Sequence, residues 1–153
     1  MRASGAGCDA ANCELVHSLP EARGDIIQTG GTIAEGARLE ASELGKRIVD
    51  IVAEKQANDI LMLDLRRVSL LADYFVICSG TSERQITALH DEIVRNLRKT
   101  DHLRPIREEG KSASGWVLLD YGDVVVHIFA PAERDYYRLE ELWSHASPVL
   151  RVQ

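Results

Sequence analysis

Apolar residues are densest between Trp116 and Phe129, where two apolar runs are separated by Asp-Tyr-Gly-Asp at positions 120–123. Gly122 can adopt the positive φ that a tight hairpin turn needs, and the aspartates can cap such a turn. Neither run alternates cleanly between apolar and polar positions, so both arms are expected inside a sheet, with helices covering both faces. The pattern therefore predicts a β-hairpin within an α/β layer protein.

Two segments before the hairpin have the apolar period of an amphipathic helix. The first extends from about Glu40 to Gln56, and its apolar stripe consists of Leu44, Ile48, Ile51 and Val52. The second follows Ser82 and ends near residues 99–101, and its stripe consists of Ile86, Leu89, Ile93 and Leu97. Ser82 and Gln85 match a capping box, in which the glutamine side chain accepts from the cap's own amide.

The remaining elements are shorter. Asp59–Leu65 and Tyr74–Cys78 are apolar runs bounded by polar residues and are predicted as strands. Leu103–Glu108 contains a proline, which has no amide to donate, so this third strand is expected at a sheet edge. After the hairpin, a helix is predicted over Glu133–Trp143, with an anchoring face formed by Tyr136, Leu139 and Trp143.

These elements predict a single compact α/β domain over residues 39–144, built on a five-stranded mixed sheet flanked by helices. Residues 145–153 are expected to fray, and residues 1–38, rich in Gly, Ala and Ser, to form a disordered extension. Cys8, Cys13 and His17 could begin a metal site, but a fourth ligand is missing nearby, so exposed thiols in a tail are favoured. Acidic residues outnumber arginines in the extension, which argues against a transit peptide and favours the cytoplasm.

The net charge of −6 changes the list of plausible partners. It gives no global basic field to hold a nucleic-acid backbone, so direct nucleic-acid binding, sequence-specific or not, is not expected. Any role on a ribosome would have to use a protein surface or a local patch. The chain has no apolar run of membrane-spanning length, and its three cysteines make no disulfide framework. A soluble protein of a reducing compartment, without membrane contact, is therefore expected.

Two polar clusters could carry chemistry. The Ser79–Ser82 turn precedes a helix N-terminus, where amides and the helix dipole could hold a phosphate. A nucleotidyltransferase would also need paired carboxylates for its metal, and no close acidic pair lies on the strand that should supply it, so a helix cap is favoured. Asp120 and Asp123 could bind a cation, but their place around a glycine favours ordinary turn residues. We expect no cofactor and no metal.

Three residues interrupt the apolar strands or begin them. His127 could be a base or a ligand, but no second histidine lies at a ligand spacing, so a hydrogen-bonded histidine at the sheet surface is favoured. Cys78 has no evident activating base and is expected to be a small buried residue. Trp116 is either a core tryptophan or an exposed aromatic at a strand end, and tryptophan is strongly enriched at binding hot spots.

Four stretches of the chain resemble the ribosomal silencing factor family, the Iojap-related proteins. They are Asp59-Ile60 with Leu63-Asp64, then Asp73–Gln85, Trp116–Phe129 and Arg134–Trp143, and their order and spacing match across residues 39–143. The resemblance implies a nucleotidyltransferase-like fold without catalytic carboxylates, and no enzymatic activity. It also implies binding to the large ribosomal subunit through ribosomal protein uL14, which blocks association with the small subunit and lowers translation when nutrients are scarce.

The resemblance also implies a binding surface and leaves alternatives open. The family's surface corresponds here to Trp116, Val117, Leu118, Leu119, Tyr121, Asp73 and Tyr74. Consecutive strand residues point to opposite faces, so some of these residues must belong to the core. A large-subunit assembly factor would use the same surface, whereas a nucleotide-dependent transferase would use the Gly80–Ser82 loop with Asp73 or Asp120. A homodimer in the free state is a further alternative.

Overall fold

The computed structural model describes residues 39–153, in which helices pack on one mixed sheet. The helices are α1 (Ala41–Glu54), α2 (Glu83–Thr100), α3 (Pro131–Tyr137) and α4 (Leu139–Leu142). The strands are β1 (Asn58–Asp64), β2 (Tyr74–Ser79), β3 (Arg107–Lys111), β4 (Trp116–Asp120), β5 (Val124–Phe129) and β6 (Ser147–Val152). The predicted α/β class is confirmed, with six strands rather than five. The predictions for Cys8, Cys13, His17 and the 1–38 extension lie outside the described residues.

The sheet has the strand order β3-β4-β5-β2-β1-β6, in which only the β5–β2 pair is parallel. The predicted hairpin is formed by β4 and β5. Gly122 at its turn has φ of +90°, and its amide donates to Asp120 Oδ1 at 2.7 Å. The turn therefore uses the glycine and the aspartate as the sequence predicts.

Most of the core lies on one side of the sheet, called here the helix-covered face, where α1 and α2 pack. The apolar stripes of the two helices are buried there against Met62, Val76 and Val126 of the strands. The opposite face carries a smaller cluster around Phe75, Ile77 and Phe129, with α4 and the residues after it. In β4, burial alternates residue by residue, so the expectation that helices cover both of its faces is wrong.

Three elements differ from prediction by more than a residue or two. The edge strand is β3, later than predicted over Leu103–Glu108, because the chain joins the sheet only after Pro105, at the Ile106 amide that bonds the Asp120 carbonyl at 2.7 Å. The last helix is divided at Arg138, which has φ of +44°. Residues 147–152 form β6 and extend the sheet beyond the predicted domain end, where fraying was expected. Every β6 side chain is exposed, so this strand has no alternation of buried and exposed positions from which the sequence could predict it.

Among residues 39–153, none of the helices is long and apolar enough to span a membrane.

Candidate partner-binding surface

Trp116 begins β4 on the face of the sheet opposite α1 and α2. Its cross-strand partner is Phe129, on which the indole stacks with ring centroids 5.2 Å apart and planes 21° apart. The ring of Tyr137 from α3 lies 4.7 Å from the indole centroid. The side chain is half-buried. One side of Trp116 is thus packed on the sheet while part of it stays accessible, which rules out both a fully buried and a free tryptophan.

Gly110 brings the edge strand close to Trp116. Its φ is +83°, and a Cβ at this position would lie 2.1 Å from the backbone oxygen of Trp116. No other residue type fits this space without moving β3 away from β4. The polar loop before Trp116 therefore needs this glycine to hold the start of β4 in place.

His127 lies beside Trp116 and orients it. The indole Nε1 of Trp116 donates to His127 Nδ1 at 3.3 Å, so Nδ1 is the unprotonated ring nitrogen. The imidazole also meets the ring of Phe75 edge-on at 4.8 Å. His127 is 4% exposed, and burial lowers its pKa to about 4. The predicted hydrogen bond is confirmed, but the histidine is buried rather than at the surface, and it is neutral at neutral pH.

Leu118 and Tyr137 complete an accessible surface around the indole. Leu118 is half-buried and lies opposite His127 in the hairpin, on the same face as Trp116. Tyr137 is 47% exposed. Together with Glu109 of the edge strand, these residues line a pocket of about 220 Å³. We call Trp116, Leu118, Tyr137 and Glu109 the Trp116 surface.

The other residues carried over from the family lie elsewhere. Val117, Leu119 and Tyr121 are buried on the helix-covered face, as alternation along β4 requires, and Tyr74 is buried in the same core. Asp73 is half-buried, and its amide and carbonyl bond the backbones of Asp123 and Leu65. Burial raises the pKa of the Tyr121 phenol, whose oxygen has no hydrogen-bond partner in residues 39–153. Of the seven residues, Trp116 and Leu118 share the accessible face.

Tyr137 was missed by sequence reasoning, which selected its neighbour Tyr136. Tyr136 is 81% exposed, so its predicted anchoring role is wrong. The prediction assumed one continuous helix, and the left-handed Arg138 changes the phase of everything around it. A tyrosine pair at the end of a short helix gives no periodic signal that would identify the packed member.

Arg134 was also missed, and it holds α3 in place. It is 7% exposed; its Nη1 donates to the Asp59 carbonyl oxygen at 2.6 Å and to Ser79 Oγ at 2.8 Å. Its Nε donates to Glu140 Oε1 at 2.9 Å, and Nη2 bonds the same oxygen. One guanidinium thus joins α3 and α4 to the ends of β1 and β2. Because Tyr137 lies on α3, this anchor also positions Tyr137 against Trp116.

The Ser79–Ser82 turn, for which the sequence favours a helix cap over a phosphate site, is occupied by its own hydrogen bonds. Ser82 Oγ accepts from the Gln85 amide at 3.2 Å, which confirms the helix cap. The Gln85 side chain accepts from the Thr81 amide at 2.8 Å rather than from the Ser82 amide, and donates to the Gln56 carbonyl at 2.9 Å. The reciprocal half of the predicted capping box is therefore shifted by one residue, because Gln85 also joins α2 to the end of α1.

Cys78 and the turn residue Asp120 have structural roles. Burial raises the pKa of the Cys78 thiol to about 12, so the thiolate that a nucleophile requires is disfavoured. Asp120 caps its own turn. In the described part of the chain, no three His, Cys, Asp or Glu side chains are grouped so that they could hold a metal ion.

Comparison with known proteins identifies the family. The family model described as "Ribosomal silencing factor during starvation" matches residues 38–153. The chain belongs to the ribosomal silencing factor family. It is 45% identical over 105 residues to ribosomal silencing factor RsfS of Bacillus subtilis, covering 66% of this chain and 88% of that protein. It is 33% identical over 133 residues to "Mitochondrial assembly of ribosomal large subunit protein 1" of Mus musculus, covering 82% of this chain and 55% of the mouse protein.

Solved structures of the family share the fold. A crystal structure of a protein from Chromobacterium violaceum superposes with a TM-score of 0.66 and 34% identity, covering 69% of this chain and 88% of that one. A second, from Bacillus halodurans, has a TM-score of 0.59 and 38% identity, covering 73% of this chain and 98% of that one. The family therefore fits both the sequence and the arrangement of helices on the sheet.

Proposed function

We propose that this chain silences ribosomes by binding the large ribosomal subunit through ribosomal protein uL14 and sterically blocking association with the small subunit. Repression of translation under nutrient limitation follows from that block. The observation that carries the proposal is the Trp116 surface, which supplies an aromatic anchor on a sheet face that α1 and α2 leave open. The family to which the chain belongs supplies the ribosomal setting.

The construction of the Trp116 surface suits a protein partner. The indole is held by Phe129, Tyr137 and His127, so little conformational entropy remains to be lost on binding. Tryptophan and tyrosine in a partly desolvated pocket are the residue types that dominate binding energy at interfaces. The chain's net charge of −6 favours a basic protein partner over bare RNA. The Glu109 carboxylate at the rim would face such a partner directly.

The proposed action is steric and not enzymatic, and it takes place in the cytoplasm. It needs only occupancy of a subunit face, with no nucleophile, cofactor or metal. The groups that could have served an enzyme have structural partners instead: Cys78 is buried, Asp120 caps its turn, and Ser82 caps α2.

An assembly role on the large subunit is the second candidate, and it is favoured by similarity to the mouse protein named for assembly of the large ribosomal subunit. The same surface would then act earlier, on a precursor particle. Loss of the gene product separates the two roles. Accumulated precursor particles would favour assembly, whereas normal particles with unrestrained subunit joining would favour silencing.

A homodimer of the free protein is compatible with the proposal, because an exposed aromatic pocket can be covered by a second copy until the ribosomal partner displaces it. Sedimentation velocity of the parent and of a Trp116→Ala variant tests this. A dimer that becomes monomeric on substitution would place the Trp116 surface in the dimer interface. A monomeric parent would contradict the dimer.

Direct binding to purified ribosomal protein uL14 tests the proposed partner. Isothermal calorimetry should give a saturable heat that is weakened when Trp116 is replaced. A Leu142→Ala variant is the control, since Leu142 is a large apolar side chain that is exposed on α4 and lies outside the pocket. Absence of heat with uL14, from a folded parent protein that nevertheless co-sediments with large subunits, would assign the contact to another ribosomal component.

A further inference from the structure

The exposed side of α2 carries a positively charged groove on an otherwise acidic chain. The groove has a volume of about 570 Å³ and follows one side of the helix from its middle to beyond its C-terminus. Its lining residues are His90, Asp91, Val94, Arg95, Arg98, Lys99 and His102. Three of these are permanent cations and one is a carboxylate, so the groove has positive charge although the chain's net charge is −6.

The cations in the groove differ in how far they are already paired. Arg95 is bound to Glu92, which also accepts an ion pair from Lys55 at 3.2 Å. Arg98 and Lys99 are exposed and make no ion pair within residues 39–153. Their position at the end of α2 stabilises the helix dipole, which accounts for part of their presence. The helix dipole does not account for the groove itself. The sole acidic lining residue of the groove, Asp91, is already bonded by His90 at 2.9 Å, so Arg98 and Lys99 have no acidic partner there.

The groove and the Trp116 surface flank the same edge strand from opposite sides. Glu108 of β3 points toward α2, where its carboxylate bonds His90 Nε2 at 3.0 Å. The next residue, Glu109, lines the Trp116 pocket on the other side. Since β3 is an edge strand with all five residues exposed, a large partner that curves around it can reach both sides at once.

We propose that this α2 groove holds the phosphate backbone of RNA while the Trp116 surface holds a protein. Guanidinium and ammonium groups without acidic partners are the side chains that bind phosphate, and double-stranded RNA is recognised mainly through its backbone and shape. The absence of a global basic field confines such binding to this local patch. The inference rests on the proposed function for its setting, a ribosomal subunit made of RNA and protein. The test of the groove uses an isolated RNA duplex and does not depend on that function.

Fluorescence anisotropy with a labelled RNA duplex of about 16 base pairs tests the groove directly. Titrations compare the parent, an Arg98→Glu/Lys99→Glu variant and a Lys46→Glu/Arg67→Glu control, which changes the net charge equally at exposed sites outside the groove. The salt is set at about 0.1 M, where the Debye length of about 10 Å screens distant charges. We expect the groove variant to lose at least tenfold in affinity and the control to bind like the parent.

The salt dependence gives a second, independent readout. The slope of log Kd against log salt should fall by roughly 1.5 to 2 in the groove variant, as expected for two lost phosphate contacts. If charge reversal disturbs α2, an Arg98→Gln/Lys99→Gln variant takes its place. No binding by the parent, or equal loss in groove variant and control, would overturn the proposal.

Two further arms separate the outcomes. A polyglutamate peptide that binds as tightly as the duplex, through the same two residues, would assign the groove to an acidic protein segment and overturn the RNA proposal. A Trp116→Ala variant should keep duplex binding while its binding to large subunits falls. If the groove does not bind RNA, binding to large subunits can still be measured. If the chain does not bind large subunits, RNA binding by the groove can still be measured.

Discussion

The half-exposed Trp116 and the buried His127 are joined across the central hairpin by a hydrogen bond, which the indole Nε1 donates to the imidazole Nδ1 over 3.3 Å. The hydrogen bond fixes the histidine as the tautomer that carries its proton on Nε2, and that nitrogen has no hydrogen-bond partner in residues 39–153. A buried histidine with one unpaired donor lowers stability. Because His127 accepts the indole hydrogen bond and fixes the orientation of the half-exposed Trp116, it is a positioning residue for the Trp116 surface.

Replacing Trp116 with alanine should weaken binding to large subunits without unfolding the chain. The indole is the largest side chain that lines the pocket, and its loss should cost at least about 1 kcal/mol, roughly a fivefold rise in Kd. Co-sedimentation at graded protein concentrations measures this, with circular dichroism to verify folding. Leu142→Ala, which removes an exposed side chain outside the pocket, should bind like the parent. A folded Trp116→Ala protein with parental affinity would place the partner contact elsewhere.

The neighbouring leucines of β4 should respond in opposite ways. Leu118→Glu places a charge on the accessible face and should reduce binding while leaving the free energy of unfolding close to that of the parent. Leu119 is 0% exposed beneath the helices, so Leu119→Ala should lower the free energy of unfolding by about 2 to 5 kcal/mol. Urea denaturation and co-sedimentation of both variants measure the contrast. Equal stability of the two variants would show that the assigned faces are wrong.

The burial of His127 as a neutral side chain should make the chain less stable in mild acid. The pKa is lowered by burial from 6.5 to about 4, so between these values the unfolded chain binds a proton that the folded chain does not. The free energy of unfolding is therefore unaffected by this group well above pH 6.5. It falls as the pH falls, by about 2 kcal/mol at pH 5.

Denaturant unfolding at pH 7, 6 and 5 tests that dependence, with His127→Asn as the variant. The asparagine oxygen can still accept from the Trp116 indole but does not titrate in this range. In the variant, the free energy of unfolding should change much less between pH 7 and pH 5 than it does in the parent. An unchanged slope would assign the acid sensitivity to other groups.

Arg134 should contribute far more to stability than the second arginine that reaches the same aspartate. Arg134→Met removes hydrogen bonds to Asp59, Ser79 and Glu140 and should cost about 2 kcal/mol or more, because the Ser79 hydroxyl is left buried. Arg151 pairs with Asp59 at 3.3 Å on the surface, so Arg151→Met should cost less than about 1 kcal/mol. Thermal unfolding of both proteins measures the difference, and similar losses would contradict the anchoring role of Arg134.

The elements that the sequence predicted well are those in which local pattern and final burial agree. The stripes of α1 and α2 repeat at helical spacing and all of their members are buried, so periodicity alone located them. The hairpin turn needed only Gly122 and Asp120, which act within a few residues of each other. In these places no distant part of the chain alters the outcome.

The features that escaped prediction depend on contacts distant in sequence. The β6 strand pairs with β1 but buries none of its side chains, so no pattern marks it. Which residues of β4 are buried depends on where α1 and α2 pack. The four consecutive apolar residues at positions 116–119 do not indicate this. Tyr137 and Arg134 take their roles from a left-handed residue at Arg138 and from partners up to 75 positions away.

Subunit joining is the most direct test of the central proposal. Purified chain is added in increasing amounts to isolated large and small ribosomal subunits under joining conditions, and gradient sedimentation separates free subunits from joined ribosomes. Silencing by steric block predicts that the chain travels with the large subunit alone and that the joined fraction falls as the chain is added, less so for Trp116→Ala. A joined fraction that stays constant while large subunits are saturated with the chain would contradict silencing by steric block.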